Sequence, residues 1–260
     1  MLERQPRPTP PWSRAFEVFN PPENPTPDPT HQIELAQISA TEFRLGSKIN
    51  YTGDRTGLEG AVPPATIDDI RTVTPDQLPV TDLASVPEPF RWFVTSYGPH
   101  TPAALIHDRL IGIPAPPKGL TDARADRYFR FMLEASGAGL LLRWIMWTAV
   151  AFRTRWANGT RKRLGLILWV ALAGLGMTSA FLAVARPSWI WAAVAAGLPF
   201  LAASLWGKQY VAGLVAVLAG PFVLPPSLFA WAVFQLYRAA EVLTTPRRDE
   251  HLAEEFVARM

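Results

Sequence analysis

Polar and apolar residues alternate with a period of about two in short pieces between residues 31 and 80. These pieces are Gln32-Ile33-Glu34-Leu35, Phe43-Arg44-Leu45 and Lys48-Ile49-Asn50-Tyr51, and Gly53, Gly57 and Gly60 close the run. This pattern predicts a small, mostly antiparallel sheet, with Pro63-Pro64, Pro75 and Pro79 confining the later strands to edges. After Ser85 the period lengthens to that of a helix. A short helix is expected over 87–96, a second over 102–111 capped by Thr101, a third from Thr121 to about Ala135, and a fourth over 140–156 beyond Gly137 and Gly139. From Leu164 to Tyr237 the pattern gives way to continuous apolarity, broken in charge only by Arg186 and Lys208. Such a stretch reads as membrane, since about 20 apolar residues cross the hydrocarbon core. It divides into spans at 164–185, 188–206 and 210–237, the last over-long and carrying Pro221, Pro225 and Pro226, which predict a kink or a re-entrant course. The expected fold class is α+β: a small antiparallel sheet plus a helical bundle, followed by a helical transmembrane region.

Charge and composition refine this division. Nine of the first thirty residues are proline, which predicts a disordered or polyproline-like tail over 1–30 that makes almost no contacts. It lacks an apolar core of the signal-peptide kind, so entry into the membrane is expected through the later segments. A soluble α+β domain is expected over 31–157, then a basic juxtamembrane linker over 158–163, the transmembrane region over 164–237 and a polar tail over 238–260. Residues 141–163 hold six basic groups and no acid, with three tryptophans among them. Trp144, Trp147, Arg153, Arg155, Arg161, Lys162 and Arg163 thus form a candidate collar for a lipid bilayer with anionic headgroups. The excess of cations before the first span places the soluble domain in the cytoplasm, the protein being integral to the cytoplasmic membrane. Arg247 and Arg248 favour an inside carboxy terminus, which a re-entrant third span allows. Cysteine is absent, excluding disulfides, thiolate zinc sites and a cysteine nucleophile. Ten basic against thirteen acidic groups over 31–140 argue against a nucleic-acid face. The preference for arginine over lysine, with abundant alanine and tryptophan, points to a GC-rich genome such as that of an actinobacterium or one of its phages.

Three pieces stand out for chemistry: Pro79-Val80-Thr81-Asp82-Leu83-Ala84-Ser85-Val86-Pro87, then Ala103-Ala104-Leu105-Ile106-His107-Asp108-Arg109-Leu110, then Ala125-Asp126-Arg127-Tyr128-Phe129. With the upstream sheet and the tryptophan-rich fourth helix, they resemble the Domain of Unknown Function 1353 family of phages and bacteria over roughly 35–156. That family implies no established activity. The three spans are an addition to its small soluble form, and Ile111 stands where an aromatic often closes the His-Asp helix.

His107 and Asp126 lie on either side of the proline-rich loop 112–120, so an antiparallel helix pair brings them face to face. A carboxylate accepting the Nδ1 proton would fix the imidazole's tautomer and leave Nε2 free as a general base. The arrangement resembles the phospholipase A₂ superfamily, which implies that His107 activates water, that Asp126 orients it, and that Asp108 helps hold a calcium ion. Ser96-Tyr97-Gly98-Pro99 would offer carbonyl ligands, although the glycine-rich calcium loop and disulfides of that superfamily are missing. The competing reading is structural: His107 a satisfied core histidine, Asp108 a partner of Arg109 or Arg91, Asp126 a partner of Arg130, and Asp82 and Ser85 accessory residues capping the turn into Pro87. Two functions remain open at this point: a membrane-anchored lipid or ester hydrolase using a His-Asp dyad, and a non-enzymatic membrane-anchored interaction or bilayer-perturbing protein. No Walker loop, dinucleotide fingerprint or Gly-x-Ser-x-Gly elbow occurs.

Overall fold

The computed structural model describes residues 10–39, 42–53, 63–83, 97–112, 120–157, 159–184 and 189–244. Short antiparallel sheets precede a mostly helical remainder, so the class is α+β as expected. The described residues fall into two compact units, one extending to Gly220 and one described over Pro221–Thr244.

The sheet begins earlier than the sequence pattern indicates. Pro11–Arg14 form a 3₁₀ turn that buries Trp12, and the chain then enters β1 (Phe16–Phe19), whose Phe16 and Val18 are fully buried. β1 pairs antiparallel with β4 (Lys48–Tyr51), matching Phe16 to Tyr51 and Phe19 to Lys48. On its other side β4 pairs antiparallel with β5 (Thr72–Val73), giving the order β1-β4-β5. The expectation of a contact-free tail through residue 30 is therefore corrected for residues 10–30; residues 1–9 lie outside the described residues. The physical reason is local. Phe16-Glu17-Val18-Phe19 contains no proline, and its apolar burial outweighs the cost of ordering its proline-rich flanks. Beyond β1, the Asn20 side chain donates to Asp28 Oδ2 (2.9 Å) and to the Gln32 carbonyl (2.6 Å), closing the loop between them.

β2 (Leu35–Gln37) and β3 (Phe43–Leu45) form a second antiparallel pair, as the alternation indicates. Phe43 and Thr81 exchange both backbone hydrogen bonds, which ties this pair to the segment leading out of the sheet region. α1 (Pro64–Arg71) occupies a stretch read as edge strand. Pro63 and Pro64 open a helix because a first-turn proline loses no intrahelical bond.

α2 (Thr101–Ile111), α3 (Asp122–Ala135) and α4 (Leu140–Ala157) fall within a residue or so of their expected bounds. The starts of α2 and α3 differ in detail: neither has a side-chain cap, and Thr101 is itself helical, its hydroxyl accepting the Gly98 N–H at 2.9 Å. α3 ends in a Schellman motif, in which Gly137 N–H donates to Glu134 O and Ala138 N–H to Leu133 O, both at 3.0 Å. The φ of +77° at Gly137 is the left-handed conformation this stop requires. The expected helix over 87–96 lies outside the described residues.

The apolar region comprises α5 (Thr160–Val184), α6 (Trp189–Ala202), a 3₁₀ segment (Ala203–Gln209) and α7 (Tyr210–Thr244). Two helical stretches are long and apolar enough to cross a membrane, Thr160–Ala183 and Trp189–Glu241, where the sequence pattern divides into three. Their apolar side chains are not those of a core: Phe181 and Trp189 are each 79% exposed. Arg161, Lys162 and Arg163 belong to the first turn of α5 and not to a linker. α7 passes through Pro221, Pro225 and Pro226 without a break, since three missing donors leave most of a 35-residue ladder intact. The irregularity falls earlier, at Gly207, whose φ of 56° and ψ of −123° leave helical space.

Packing around this irregularity is close. Trp206 is fully buried, its ring 5.2 Å from that of Trp169, and a Cβ on Gly213 would meet the indole at 2.8 Å. Gly176 plays the same part between α5 and α6, where a Cβ would stand 2.7 Å from both the Ala195 carbonyl and the Pro199 ring.

Candidate functional site

His107 sits in the middle of α2 and Asp126 in the first half of α3, each turned inward by the apolar face of its helix. The two helices pack together, and His107 Nε2 lies 3.1 Å from Asp126 Oδ1. The pairing of these residues is thus as the sequence arithmetic anticipates. The pair lies in a closed, apolar setting. The His107 ring is tilted against Phe129 with centroids 4.8 Å apart, and the residue is 3% exposed.

Asp126 is fully buried and collects two further donors. Thr154 Oγ1, from α4, donates to Oδ1 at 3.1 Å, and Gln209 Nε2, from the end of the 3₁₀ segment, donates to Oδ2 at 2.7 Å. The nitrogen that meets the carboxyl is Nε2. This differs from the expected arrangement, in which the carboxylate engages Nδ1 and Nε2 stays free. Arg130 does not pair with Asp126; its guanidinium lies over Trp144 (4.5 Å) and Trp147 (4.8 Å).

Asp108, one residue on, faces a different neighbour. Its Oδ2 accepts the Thr81 hydroxyl at 2.9 Å, and the same hydroxyl oxygen accepts the Leu83 N–H at 2.9 Å. Burial pushes the Asp108 carboxyl up to about 7, with Asp82 adding to the rise and His107, the Thr81 hydrogen bond and Arg153 opposing it. Arg109 pairs with Asp69 at 2.6 Å instead of with Asp108. A calcium ion needs six to eight oxygens and ionised carboxylates. Asp108 is a desolvated carboxyl already bonded to a hydroxyl, the Gly98 carbonyl accepts the Thr101 N–H at 3.0 Å, and among the described residues no group of three acidic or histidine side chains could hold a metal. The described residues of this cluster do not fit calcium. Asp82 is exposed beside this cluster, and Ser85 lies outside the described residues.

The collar residues separate into two sets. Arg153, Arg161, Lys162 and Arg163 are exposed. Arg155 turns inward and donates to the Trp206 carbonyl (2.6 Å) and the Leu205 carbonyl (2.9 Å), while Trp147 is buried and Trp144 partly so. Arg155 therefore satisfies carbonyls that the irregularity around Gly207 frees from the helical ladder. Sequence reasoning missed Thr154, Gln209 and Thr81. Gln209 carried a usable signal, being an amide inside a stretch with almost no polar side chains.

An open groove of about 390 Å³ lies at the irregular segment, lined by Phe200, Leu201, Ala203, Ser204, Tyr210 and Leu214 among others. It includes neither His107 nor Asp126.

A family model described as "Protein of unknown function (DUF1353)" matches residues 66–150. This stretch contains His107, Asp108 and Asp126 but ends before Thr154 and the apolar helices. No curated protein and no solved structure matches the chain.

Proposed function

We propose that the chain is a non-enzymatic integral membrane protein in which the region similar to the uncharacterised family is fixed to apolar helices that cross the bilayer. The observation carrying this reading is the coordination of Asp126: a fully buried carboxylate accepting from α2, α4 and the 3₁₀ segment together. Three donors hold it in place, and a histidine with 3% exposure has little access to a substrate. Such a cluster suits a structural junction between the domain and the membrane region better than it suits a hydrolytic dyad. The exposed cations Arg153, Arg161, Lys162 and Arg163 fit anionic headgroups on the cytoplasmic side of the cytoplasmic membrane.

The test sets the two functions against each other in the full chain, reconstituted in phospholipid vesicles. Lipid and model-ester hydrolysis are measured with and without calcium for the native protein, His107→Ala and Asp126→Asn, beside thermal melts. Neither substrate should be turned over, and both substitutions should lower Tm, because each leaves buried polar partners unpaired at about 1–3 kcal/mol. Calcium-dependent hydrolysis abolished by either substitution without loss of stability would overturn the proposal in favour of a phospholipase A₂-like hydrolase.

A further inference from the structure

We propose that the outer face of α3, where α4 begins beside it, binds a phosphate group between Arg127 and Arg130, with Arg143 alongside. The inference is independent of how the apolar helices meet the bilayer.

Three arginines converge here and one acid answers them. Arg127 and Arg130 stand three positions apart on α3, so they share a face, with Cβ atoms about 5–6 Å apart. Arg143 comes from the start of α4 and is drawn to the same place by Glu134, which it meets at 2.7 Å. Partial burial, and then the charges of Arg127 and Arg143, hold the Arg130 guanidinium below its ordinary pKa, and only Glu134 opposes them. Among the described residues, neither Arg127 nor Arg130 has a carboxylate partner. The positive end of α4, whose first turn contains no acid, adds to the same field.

A cation crowded in this way would ordinarily swing out into water. Arg130 is instead fixed: its guanidinium lies 4.5 Å from the ring centre of Trp144 and 4.8 Å from that of Trp147, two indoles whose planes meet at 77°. Such contacts use the electron-rich ring faces and consume none of the N–H donors. No acceptor among the described residues takes those donors, and they stay open to solvent. A planar fork held in place by aromatic rings, with its N–H edge free, is pre-organised for an oxyanion. A carboxylate would satisfy a single fork, as Glu134 already does for Arg143. Two forks one helical turn apart call for a group whose oxygens point several ways, which phosphate supplies.

That phosphate can come from a phospholipid headgroup or from free phosphate, and the test separates the two. The full-length protein in uncharged detergent micelles is titrated, at constant ionic strength, with sodium phosphate or with a short-chain phosphatidylglycerol. Binding is read from tryptophan emission, since Trp144 and Trp147 contact Arg130, and from Tm. Saturation with sodium phosphate identifies the free anion; saturation with the lipid alone identifies the headgroup. In either case Arg127→Gln, at an exposed position, should weaken binding about tenfold through loss of a charge-assisted hydrogen bond. Arg130→Lys, which keeps the charge without the fork, should weaken it severalfold. Arg44→Gln, on the exposed side of β3, should leave it unchanged. Absence of saturation with both probes overturns the proposal. Saturation that Arg127→Gln leaves unaltered, or that Arg44→Gln weakens equally, overturns it too, because the anion then sits elsewhere.

Discussion

A carboxyl held out of water keeps its proton longer than one in solution, and Asp108 is such a group. Its value of about 7 in the folded chain stands against 3.8 in the unfolded one. Between those limits the folded state binds more protons, so stability is greatest below about pH 4 and declines as pH rises through about 7, after which this contribution is flat. Three units correspond to a penalty of up to about 4 kcal/mol at alkaline pH. The expected outcome is a higher Tm at pH 5.5 than at pH 8 for the native protein, with the difference reduced in Asp108→Asn. Asparagine retains an oxygen for the Thr81 hydroxyl but carries no charge to desolvate. An unchanged pH slope in that variant would show that the decline has another source. The neighbouring backbone makes the Thr81 contact worth keeping, since Leu83 is fully buried with a φ of 69°, a conformation that costs leucine roughly 1–2 kcal/mol. Its N–H bond to Thr81 Oγ1 and the bridge from Thr81 to Phe43 are what hold it there.

Among the elements, β1 shows what density of proline conceals. Its four residues lie between proline-rich segments, and a window average over that region reads as disorder although Phe16 and Val18 point into the core. The helices are easier to read, because a 3.6-residue period persists over three or four turns in α2, α3 and α4 and their ends carry glycine. The His107–Asp126 pair is also legible, since both residues flank one loop. The donors that complete it are not: Thr154 is 28 and Gln209 83 positions from Asp126, and no local spacing relates them. A chain beginning at His31 tests the corrected place of β1. Losing Trp12, Phe16, Val18 and Phe19 removes four buried side chains at about 1.5–3 kcal/mol each and uncovers one edge of β4. That truncation should lower Tm markedly and make the 42–53 region protease-sensitive. An undiminished melt would show that β1 adds nothing to the fold.

For the whole molecule, the decisive question is whether the part before the apolar helices is independent of them. The boundary expected at 157 implies that a chain ending at Gly159 is a soluble domain, with residual membrane affinity through Trp144 and Trp147. The packing argues otherwise. Trp147 and Ala151 are buried in a cluster whose other members, Leu166, Trp169, Ala202, Trp206 and Ala212, all lie beyond that cut. Asp126 would lose Gln209, its shortest hydrogen bond, and the Arg155 guanidinium would lose the Leu205 and Trp206 carbonyls. The truncated chain would thus present an apolar face centred on two tryptophans next to a carboxylate and a guanidinium with unfilled partners, a combination that costs several kcal/mol in water. We expect it to aggregate or to need detergent, and to melt well below the full-length protein in the same detergent. Restoring one apolar contact would not rescue it. A Gln209→Leu substitution in the full chain separates the two contributions: it keeps the cluster covered while removing the amide, so its Tm should fall between those of the native and truncated proteins. A monodisperse, detergent-free product ending at Gly159 with an undiminished Tm would instead establish an independent domain, and the Asp126 junction would then be a contact of convenience and not a condition of folding.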